Sequence, residues 1–159
     1  MVERSVAIIT RTQNRPIALD RTLRDILEQR FTDWQLVLVS DGGNPLAIEK
    51  TVAPYLAALG DRYRLLHRER SEGAAAAGNF AIANSRSRYL VLHDDDDSWH
   101  PDFLARSVAY LETAGTSVGG VATGAELQFE QFDGAKFTEI ARKPMPRPII
   151  PATRRPTAP

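Results

Sequence analysis

Short apolar runs alternate along the chain with longer segments in which apolar residues recur every three or four positions. The first run, residues 5–10 (SVAIIT), is rich in β-branched residues and is followed by Pro16 and by Leu19, Leu23 and Ile26 at helical spacing. A short continuous apolar run indicates a strand buried on both faces, and the i, i+4, i+7 spacing indicates an amphipathic helix. The chain is therefore predicted to open with a strand followed by a helix.

The same alternation continues to about residue 111. Pro54 lies inside the helical pattern that begins at Pro45, so a helix there must kink or split. Strands that alternate with helices form a mostly parallel sheet, so the predicted fold class is α/β with helices on both faces of the sheet. Strands are expected at residues 5–10, 35–40, 63–67 and 89–93, and helices after Pro16, after Asn44, at residues 74–84 and after Pro101.

The last third of the chain has a weaker pattern. A further strand is expected at residues 119–123, and a hairpin is expected around Asp133-Gly134, with strands at residues 128–132 and 136–140. Residues 142–159 contain five basic residues, no acidic residue and six of the ten prolines. Because proline blocks both helix and central strand, these residues are expected to be a disordered tail or the stump of a truncated chain, with residues 1–141 forming one domain.

Composition narrows the class of protein. The apolar fraction of 43% and the charged fraction of 25% are typical of a globular domain, and the absence of cysteine excludes disulfides and thiolate metal sites. The net charge of zero gives no support for binding to bulk nucleic acid. The apolar runs are too short to cross a bilayer, so we expect a cytoplasmic protein, with attachment to a membrane surface left open.

Polar clusters follow three of the predicted strands, at residues 11–15, 41–43 and 94–97. Ligands of parallel sheets bind at the carboxyl ends of the strands. Four adjacent aspartates repel one another unless a cation is present, and in an extended chain Asp94 and Asp96 would point to the same side. Two carboxylates there would suit Mn²⁺ or Mg²⁺, whereas the alternative is a solvated acidic turn.

Other polar residues at these strand ends have alternative interpretations. Asp41 precedes a glycine, and Asp-Gly is ordinary turn chemistry. Arg11 and Arg15 are either surface charges or residues that face a phosphate. His93 is interpreted as the end of its strand, with no role assigned.

The order of these motifs resembles the GT-A-fold glycosyltransferases of family 2. The resemblance runs from about Val6 to Leu111. It is carried by the segments Thr12-Gln13-Asn14-Arg15-Pro16, Ser40-Asp41-Gly42-Gly43, Gly73-Ala74-Ala75-Ala76-Ala77-Gly78-Asn79 and His93-Asp94-Asp95-Asp96-Asp97-Ser98-Trp99.

The resemblance implies a role for each segment. The loop after the first strand would hold the nucleotide, Asp41 would hydrogen-bond the base, and residues 73–79 would line the pocket. Asp94 would lie near the ribose and Asp96 would bind the metal, Mn²⁺ or Mg²⁺. The nucleotide-binding residues implied are Thr12, Asn14, Arg15, Asp41, Gly73, Asn79, Asp94 and Asp95, and the implied metal ligands are Asp96 and Asp94.

The chain also departs from the family pattern. It has Arg11-Thr12-Gln13 where the family often has Pro-Thr-Tyr, and Gly78-Asn79 where the family often has Arg-Asn. The family's catalytic carboxylate is expected beyond Phe132 and is not recognisable in this sequence. Glu130, Asp133 and Glu139 are candidates to which no role is assigned.

The function implied is transfer of a sugar from a nucleoside-diphosphate donor, a UDP-sugar by preference, to an acceptor hydroxyl. Such transfer would be metal-dependent and inverting, and the acceptor could be a saccharide, a lipid or a protein. One alternative is a truncated, non-catalytic domain that binds a nucleotide-sugar. Another is a sugar nucleotidyltransferase, although residues 10–16 lack the glycine-rich loop of those enzymes.

Overall fold

The computed structural model describes residues 4–145. Its main unit contains four parallel strands in the order β3-β2-β1-β4, and the registers pair Val6 of β1 with Trp34 of β2 and with Tyr89 of β4. The strands are β1 (Val6–Thr12), β2 (Trp34–Asp41), β3 (Tyr63–Arg68) and β4 (Tyr89–Leu92). The predicted parallel sheet is confirmed, and β1 and β2 extend further than their apolar runs, so Thr12 and Asp41 belong to the strands.

Helices connect these strands and cover both faces of the sheet. On one face the side chains of β1 and β2 pack against α1, α2 and α5 through Leu23, Val52 and Leu104. On the other face Ala7, Ile9, Val37 and Val39 pack against Ala77 and Ala81 of α4, whose small side chains allow a close approach. The helices are α1 (Pro16–Leu27), α2 (Pro45–Val52), α3 (Leu56–Leu59), α4 (Ala74–Ala83) and α5 (Phe103–Ala114). The predicted α/β class with helices on both faces is confirmed.

The helix expected after Asn44 is split where proline predicts a split. The side chain of Asn44 accepts a hydrogen bond from Leu46 N and caps α2, and Pro45 occupies the first turn. Helix α2 ends at Val52, a 3₁₀ turn runs over Ala53–Tyr55, and α3 follows. Pro54 cannot donate the hydrogen bond that a continuous helix needs.

The described residues from Val118 to Met145 belong to a second compact unit. Its described part is an antiparallel hairpin of β5 (Glu126–Phe132) and β6 (Phe137–Pro144), which confirms the predicted hairpin. The strand expected at residues 119–123 is wrong: these residues have no regular structure, and nothing lies within 4 Å of a Cβ placed on Gly119 or Gly120. Glycine loses more entropy than other residues in a strand, and no neighbouring strand compensates here.

The boundary expected between residues 141 and 142 falls inside β6, because Arg142, Lys143 and Pro144 continue the ladder with β5. Pro144 sits at the last position of a strand in a two-stranded sheet, where a missing donor is tolerated. Residues 146–159 of the expected tail lie outside the described residues. Within residues 4–145 no helix has the length and apolar character needed to span a membrane.

Candidate functional site

A cleft of about 320 Å³ opens at the carboxyl ends of the strands. It lies where chain connections diverge: β1 has β2 on one side and β4 on the other, and such a switch point is the usual ligand site of an open α/β sheet. Its volume is within the range of small-molecule sites. Its lining residues come from the carboxyl ends of β1 and β2, from the loops after β1, β3 and β4, and from the start of α4: Arg11, Thr12, Gln13, Arg15, Asp41, Ser71, Gly73, Ala74, Ala77, Asp94, Asp95 and Asp96.

The acidic segment after β4 forms a turn and not an extended strand. The backbone N–H of Asp97 donates to the carbonyl of Asp94 at 3.1 Å, and Asp95 and Asp96 form the turn between them. The expected extended geometry, in which Asp94 and Asp96 share a side through strand alternation, is therefore wrong. Both residues still line the cleft, because the turn directs three successive carboxylates toward it.

Two arginines from the β1 end neutralise part of this acidic turn. Arg11 donates through Nε to Asp94 Oδ1 at 3.0 Å, and its Nη2 forms a closer ion pair with the same oxygen. Arg15 donates to Asp95 at 2.7 Å and to Asp96 at 3.3 Å. The repulsion expected within the acidic turn is therefore offset by fixed cations in the ligand-free chain.

Asp95 is the buried member of the turn, with 3% of its surface exposed. Its Oδ2 accepts a hydrogen bond from the Thr12 hydroxyl at 2.8 Å, while Oδ1 faces Arg15. Burial raises the pKa of the Asp95 carboxyl, and the hydrogen bond from Thr12 and the charge of Arg15 only partly oppose that rise. The expected nucleotide-binding residues Thr12 and Asp95 therefore bind each other across the floor of the cleft.

Asp41 forms the opposite end of the cleft. It is 5% exposed, its Oδ1 accepts from Arg68 at 3.2 Å, and its Oδ2 accepts from the Ser71 hydroxyl at 2.7 Å. The Arg68 guanidinium also pairs with Glu72, which fixes it beside Asp41. Asp41 is thus held in one orientation by two neighbours from β3 and the loop after it.

Two of the expected site residues do not line the cleft. Asn14 has a positive φ of 54°, and its side chain accepts a hydrogen bond from Asn44 N at 3.1 Å, so it joins the loops after β1 and β2. Asn79 is exposed on α4. The α4 residues that turn toward the sheet are Ala77 and Ala81, and a helix rotates by about 100° per residue, so position 79 faces away from Ala77.

The remaining seven expected residues all line the cleft, and their roles toward a ligand stay predictions. Ser71 and Gln13 also line the cleft but were not predicted as site residues from the sequence. Arg11 lines it too, which answers whether its side chain faces the site. Ser71 was detectable, since it follows β3 in the same way that the acidic turn follows β4, and the rule of strand carboxyl ends applies to every strand of the sheet.

The buried side chain of His93 contacts the backbone at the start of the acidic turn. Its imidazole is fully buried, lies 4.0 Å from the Trp99 ring, and its Nδ1 is 2.9 Å from the carbonyl of Asp94. Burial lowers the pKa of His93, which favours the neutral ring with Nδ1–H as donor to that carbonyl. The sequence had assigned His93 only to the strand end.

Within the described residues, no three His, Cys, Asp or Glu side chains are gathered closely enough to form a metal site by themselves. The carboxylates of Asp94 and Asp96 are 42% and 57% exposed at the cleft, so water or a ligand can reach them. Mg²⁺ commonly binds through one or two carboxylates and completes its shell with water and phosphate oxygens. The side chains of Asp94 and Asp96 fit that mode of binding.

Two acidic residues of the hairpin, Asp133 and Glu139, make contacts with neighbouring residues of the same hairpin. Asp133 Oδ1 accepts hydrogen bonds from the backbone N–H groups of Ala135 and Lys136, each at 2.9 Å, and these lower its pKa. Glu139 pairs with Arg142 at 2.7 Å, and its pKa is also lowered, first by that hydrogen bond. Both carboxylates are therefore engaged in contacts within the hairpin.

Comparison with known proteins finds relatives that are named as glycosyltransferases. The model of glycosyl transferase family 2 matches residues 6–150. WcaA of Escherichia coli (strain K12), which is named for glycosyl transfer in colanic acid biosynthesis, is 29% identical over 108 residues, covering 67% of this chain and 38% of WcaA. WfgD of Escherichia coli, named UDP-Glc:alpha-D-GlcNAc-diphosphoundecaprenol beta-1,3-glucosyltransferase, is 26% identical over 106 residues, covering 67% of this chain and 40% of WfgD.

A solved structure shares the fold. The mannosyltransferase PcManGT of Pyrobaculum calidifontis, in complex with GDP-Man and Mn²⁺, has a TM-score of 0.64 and 26% sequence identity, covering 74% of this chain and 34% of that chain. The chain spans about two fifths of the length of the curated relatives it matches. Because the family model matches most of the residues and the parallel sheet is that of GT-A enzymes, the chain belongs to glycosyl transferase family 2.

Proposed function

We propose that the chain binds a nucleoside-diphosphate sugar in the cleft and serves metal-dependent, inverting transfer of the sugar to an acceptor hydroxyl. One observation carries this proposal: the acidic turn and Asp41 lie at two ends of a single cleft of about 320 Å³. A nucleotide-sugar needs both a polar anchor for its base and a charged site for its diphosphate. The acceptor class, whether saccharide, lipid or protein, is left open by the proposal.

The base is proposed to bind at the Asp41 end. Asp41 is nearly buried, and its orientation is fixed by Arg68 and Ser71. A carboxylate oxygen keeps further lone pairs after accepting one hydrogen bond, so it can still accept an N–H of the base. Since the Asp41 carboxylate is already oriented, little ordering cost remains when the base binds.

The diphosphate is proposed to bind at the other end, beside the acidic turn. The lining residues there carry two positive charges, on Arg11 and Arg15, and three negative charges, on Asp94, Asp95 and Asp96. Like charges at short range repel, so an anionic diphosphate needs an additional cation. Mn²⁺ or Mg²⁺ held by Asp96 and Asp94 would supply that charge and would stabilise the leaving nucleoside diphosphate.

The base of the donor is proposed to be uracil, with guanine as the alternative to test. WfgD is named for transfer from UDP-Glc, and the PcManGT structure contains GDP-Man with Mn²⁺. UDP-Glc and GDP-Man are both sugars linked to a nucleoside diphosphate, which supports that donor class. The family match gives no support to the nucleotidyltransferase alternative.

The test is a survey of UDP, GDP, ADP and their sugar derivatives by thermal shift and calorimetry, each with Mn²⁺, with Mg²⁺ and with EDTA. The proposal predicts that UDP raises the unfolding temperature more with Mn²⁺ or Mg²⁺ than with EDTA. Asp41→Ala should weaken binding with and without metal. Absence of binding by every nucleoside diphosphate under all three conditions would contradict the proposed function. Release of UDP from a bound UDP-sugar would distinguish turnover from binding alone.

A further inference from the structure

Gly78 of α4 faces the side chain of Arg11 from β1. A Cβ placed on Gly78 would lie 3.6 Å from Cδ and 3.8 Å from Nη1 of Arg11, which is ordinary van der Waals contact. The next carbons of a longer side chain at position 78 would need the space that Arg11 fills. Arg11 therefore lies over the helix at a position that stays open because residue 78 has no side chain.

The contacts of Arg11 place its guanidinium beside the proposed diphosphate site. Nη1 donates to the carbonyl of Ala74 at 2.8 Å, at the start of α4, and Nε donates to Asp94 Oδ1 at 3.0 Å. The side chain is 18% exposed, and it lines the cleft. Shielding from water strengthens its interaction with an anion, and the planar fork of donors matches phosphate oxygens.

We propose that Arg11 is a ligand of the donor's diphosphate and that Gly78 is the residue that makes room for it. On binding, Arg11 would exchange its ion pair with Asp94 for a phosphate oxygen, which would leave the Asp94 carboxylate able to hold a divalent cation. This inference rests on the proposed function, since it names a further residue of the same site.

Four single variants and one double variant test the inference with UDP as the probe. Arg11→Ala removes the guanidinium, and Gly78→Leu displaces it while leaving it in the chain. Gly78→Ala is the matched control, because its Cβ makes only ordinary contacts. Arg86→Ala is the charge control: Arg86 is exposed and precedes β4, at the end of the strand opposite the cleft.

Calorimetry in EDTA and in Mn²⁺ measures UDP affinity, and ligand-observed NMR measures uridine, which has no phosphate. Arg11→Ala and Gly78→Leu should each weaken UDP binding about tenfold, as expected for one charge-assisted contact, and leave uridine binding unchanged. Gly78→Ala and Arg86→Ala should bind both ligands like the original chain. The double variant Arg11→Ala with Gly78→Arg should recover most of the UDP affinity, because an arginine on α4 would enter the vacated space.

The outcomes separate this inference from the proposed function. If the original chain binds no nucleoside diphosphate, the proposed function fails. If it binds UDP and Arg11→Ala binds equally well, or loses uridine to the same degree, then Arg11 is not a diphosphate ligand. Circular dichroism shows whether each variant is folded, and Gly78→Leu carries the test if Arg11→Ala does not fold.

Discussion

The aspartates of the acidic turn differ in what surrounds them, and that difference separates their roles. Asp95 is buried and bonded to the Thr12 hydroxyl and to Arg15. Asp96 is 57% exposed, and its ion pair with Arg15 is longer, at 3.3 Å. A buried carboxylate with two hydrogen-bond partners, such as that of Asp95, stabilises the turn. An exposed carboxylate, such as that of Asp96, can exchange its ion-pair partner for a metal at little cost.

This difference predicts a larger loss of stability when Asp95 is replaced than when Asp96 is replaced. Asp95→Ala should lower the free energy of unfolding by about 1–3 kcal/mol, because the buried Thr12 hydroxyl loses its partner. Asp96→Ala should change it by less than about 0.5 kcal/mol, as for an ordinary surface substitution. Urea unfolding without metal or nucleotide measures both values. A larger loss for Asp96→Ala than for Asp95→Ala would contradict the assignment of Asp95 as the structural member.

At the residue scale, the sequence predicted the members of the site better than their contacts. The position of Asp94 and Asp96 after a buried strand was enough to place them at the cleft. Their ion pairs with Arg11 and Arg15 join residues about eighty positions apart, and no local pattern encodes such a pairing. Asn79 does not line the cleft, because placement on a helix near the site does not determine which way a side chain turns.

At the scale of elements, the end of β2 depends on a glycine that cannot be replaced without moving a neighbouring loop. Gly42 has a φ of +72°, and a Cβ there would lie 2.4 Å from the backbone N of Ser71. Ser71 donates to Asp41, so displacement of its loop would also disturb that contact. Gly60 has a φ of +56° and a ψ of −132° but nothing within 4 Å of its Cβ position, so Gly60→Ala tests a strained glycine backbone without a steric clash.

Gly42→Ala is therefore expected to be more harmful than Gly60→Ala. Both carry the cost of a positive φ in a residue with a side chain. Gly42→Ala adds a steric clash with backbone, so its loss of unfolding free energy should exceed that of Gly60→Ala by about 1–3 kcal/mol. It should also weaken nucleotide binding, whereas Gly60→Ala should not. Equal losses in urea unfolding would show that the loop after β3 adjusts freely.

The edge strand β3 supplies a test at alkaline pH. Burial, reinforced by the nearby charge of Glu49, raises the pKa of Tyr63 from 10.0 to about 12. A folded-state pKa above the unfolded value gives stability that is complete below pH 10 and is lost as the pH rises toward 12. Tyr63→Phe should therefore lose less stability over that range than the original chain, by about 1–2 kcal/mol after allowance for partial exposure. Urea unfolding at a series of alkaline pH values measures this, and parallel losses would contradict the raised pKa.

Elements were predicted from the sequence where their signals were strong and local. The apolar runs were sufficient to predict β1 and β2, and Pro54 was sufficient to predict the split between α2 and α3. Residues 119–123 were misassigned because Val121 and Thr123 favour a strand, but Gly119 and Gly120 oppose one and no described strand pairs with this segment. The turn at Asp94–Asp97 was misassigned because period-2 geometry was extended past Leu92, where the ladder of β4 ends.

At the scale of the whole molecule, all lining residues of the cleft fall between Arg11 and Asp96. The first compact unit extends to Ser117, so it contains every one of them. A chain that ends at Ser117 is therefore expected to retain UDP binding within about threefold, equivalent to roughly 0.7 kcal/mol. Calorimetry compares it with the 159-residue chain. Loss of UDP binding by a shortened chain that circular dichroism shows to be folded would mean that residues after Ser117 contribute to the site.

The central claim is that the acidic turn binds a nucleoside diphosphate through a divalent metal, and one comparison tests it most directly. Calorimetry measures UDP affinity for the original chain and for Asp96→Ala, each in Mn²⁺ and in EDTA. The account predicts that Mn²⁺ strengthens UDP binding to the original chain by about tenfold or more, equivalent to about 1.4 kcal/mol, because a cation offsets the repulsion between phosphate and carboxylates. Asp96→Ala should bind UDP equally in both conditions. UDP affinity that is unchanged by EDTA and by Asp96→Ala would contradict the metal assignment and the mechanism proposed from it.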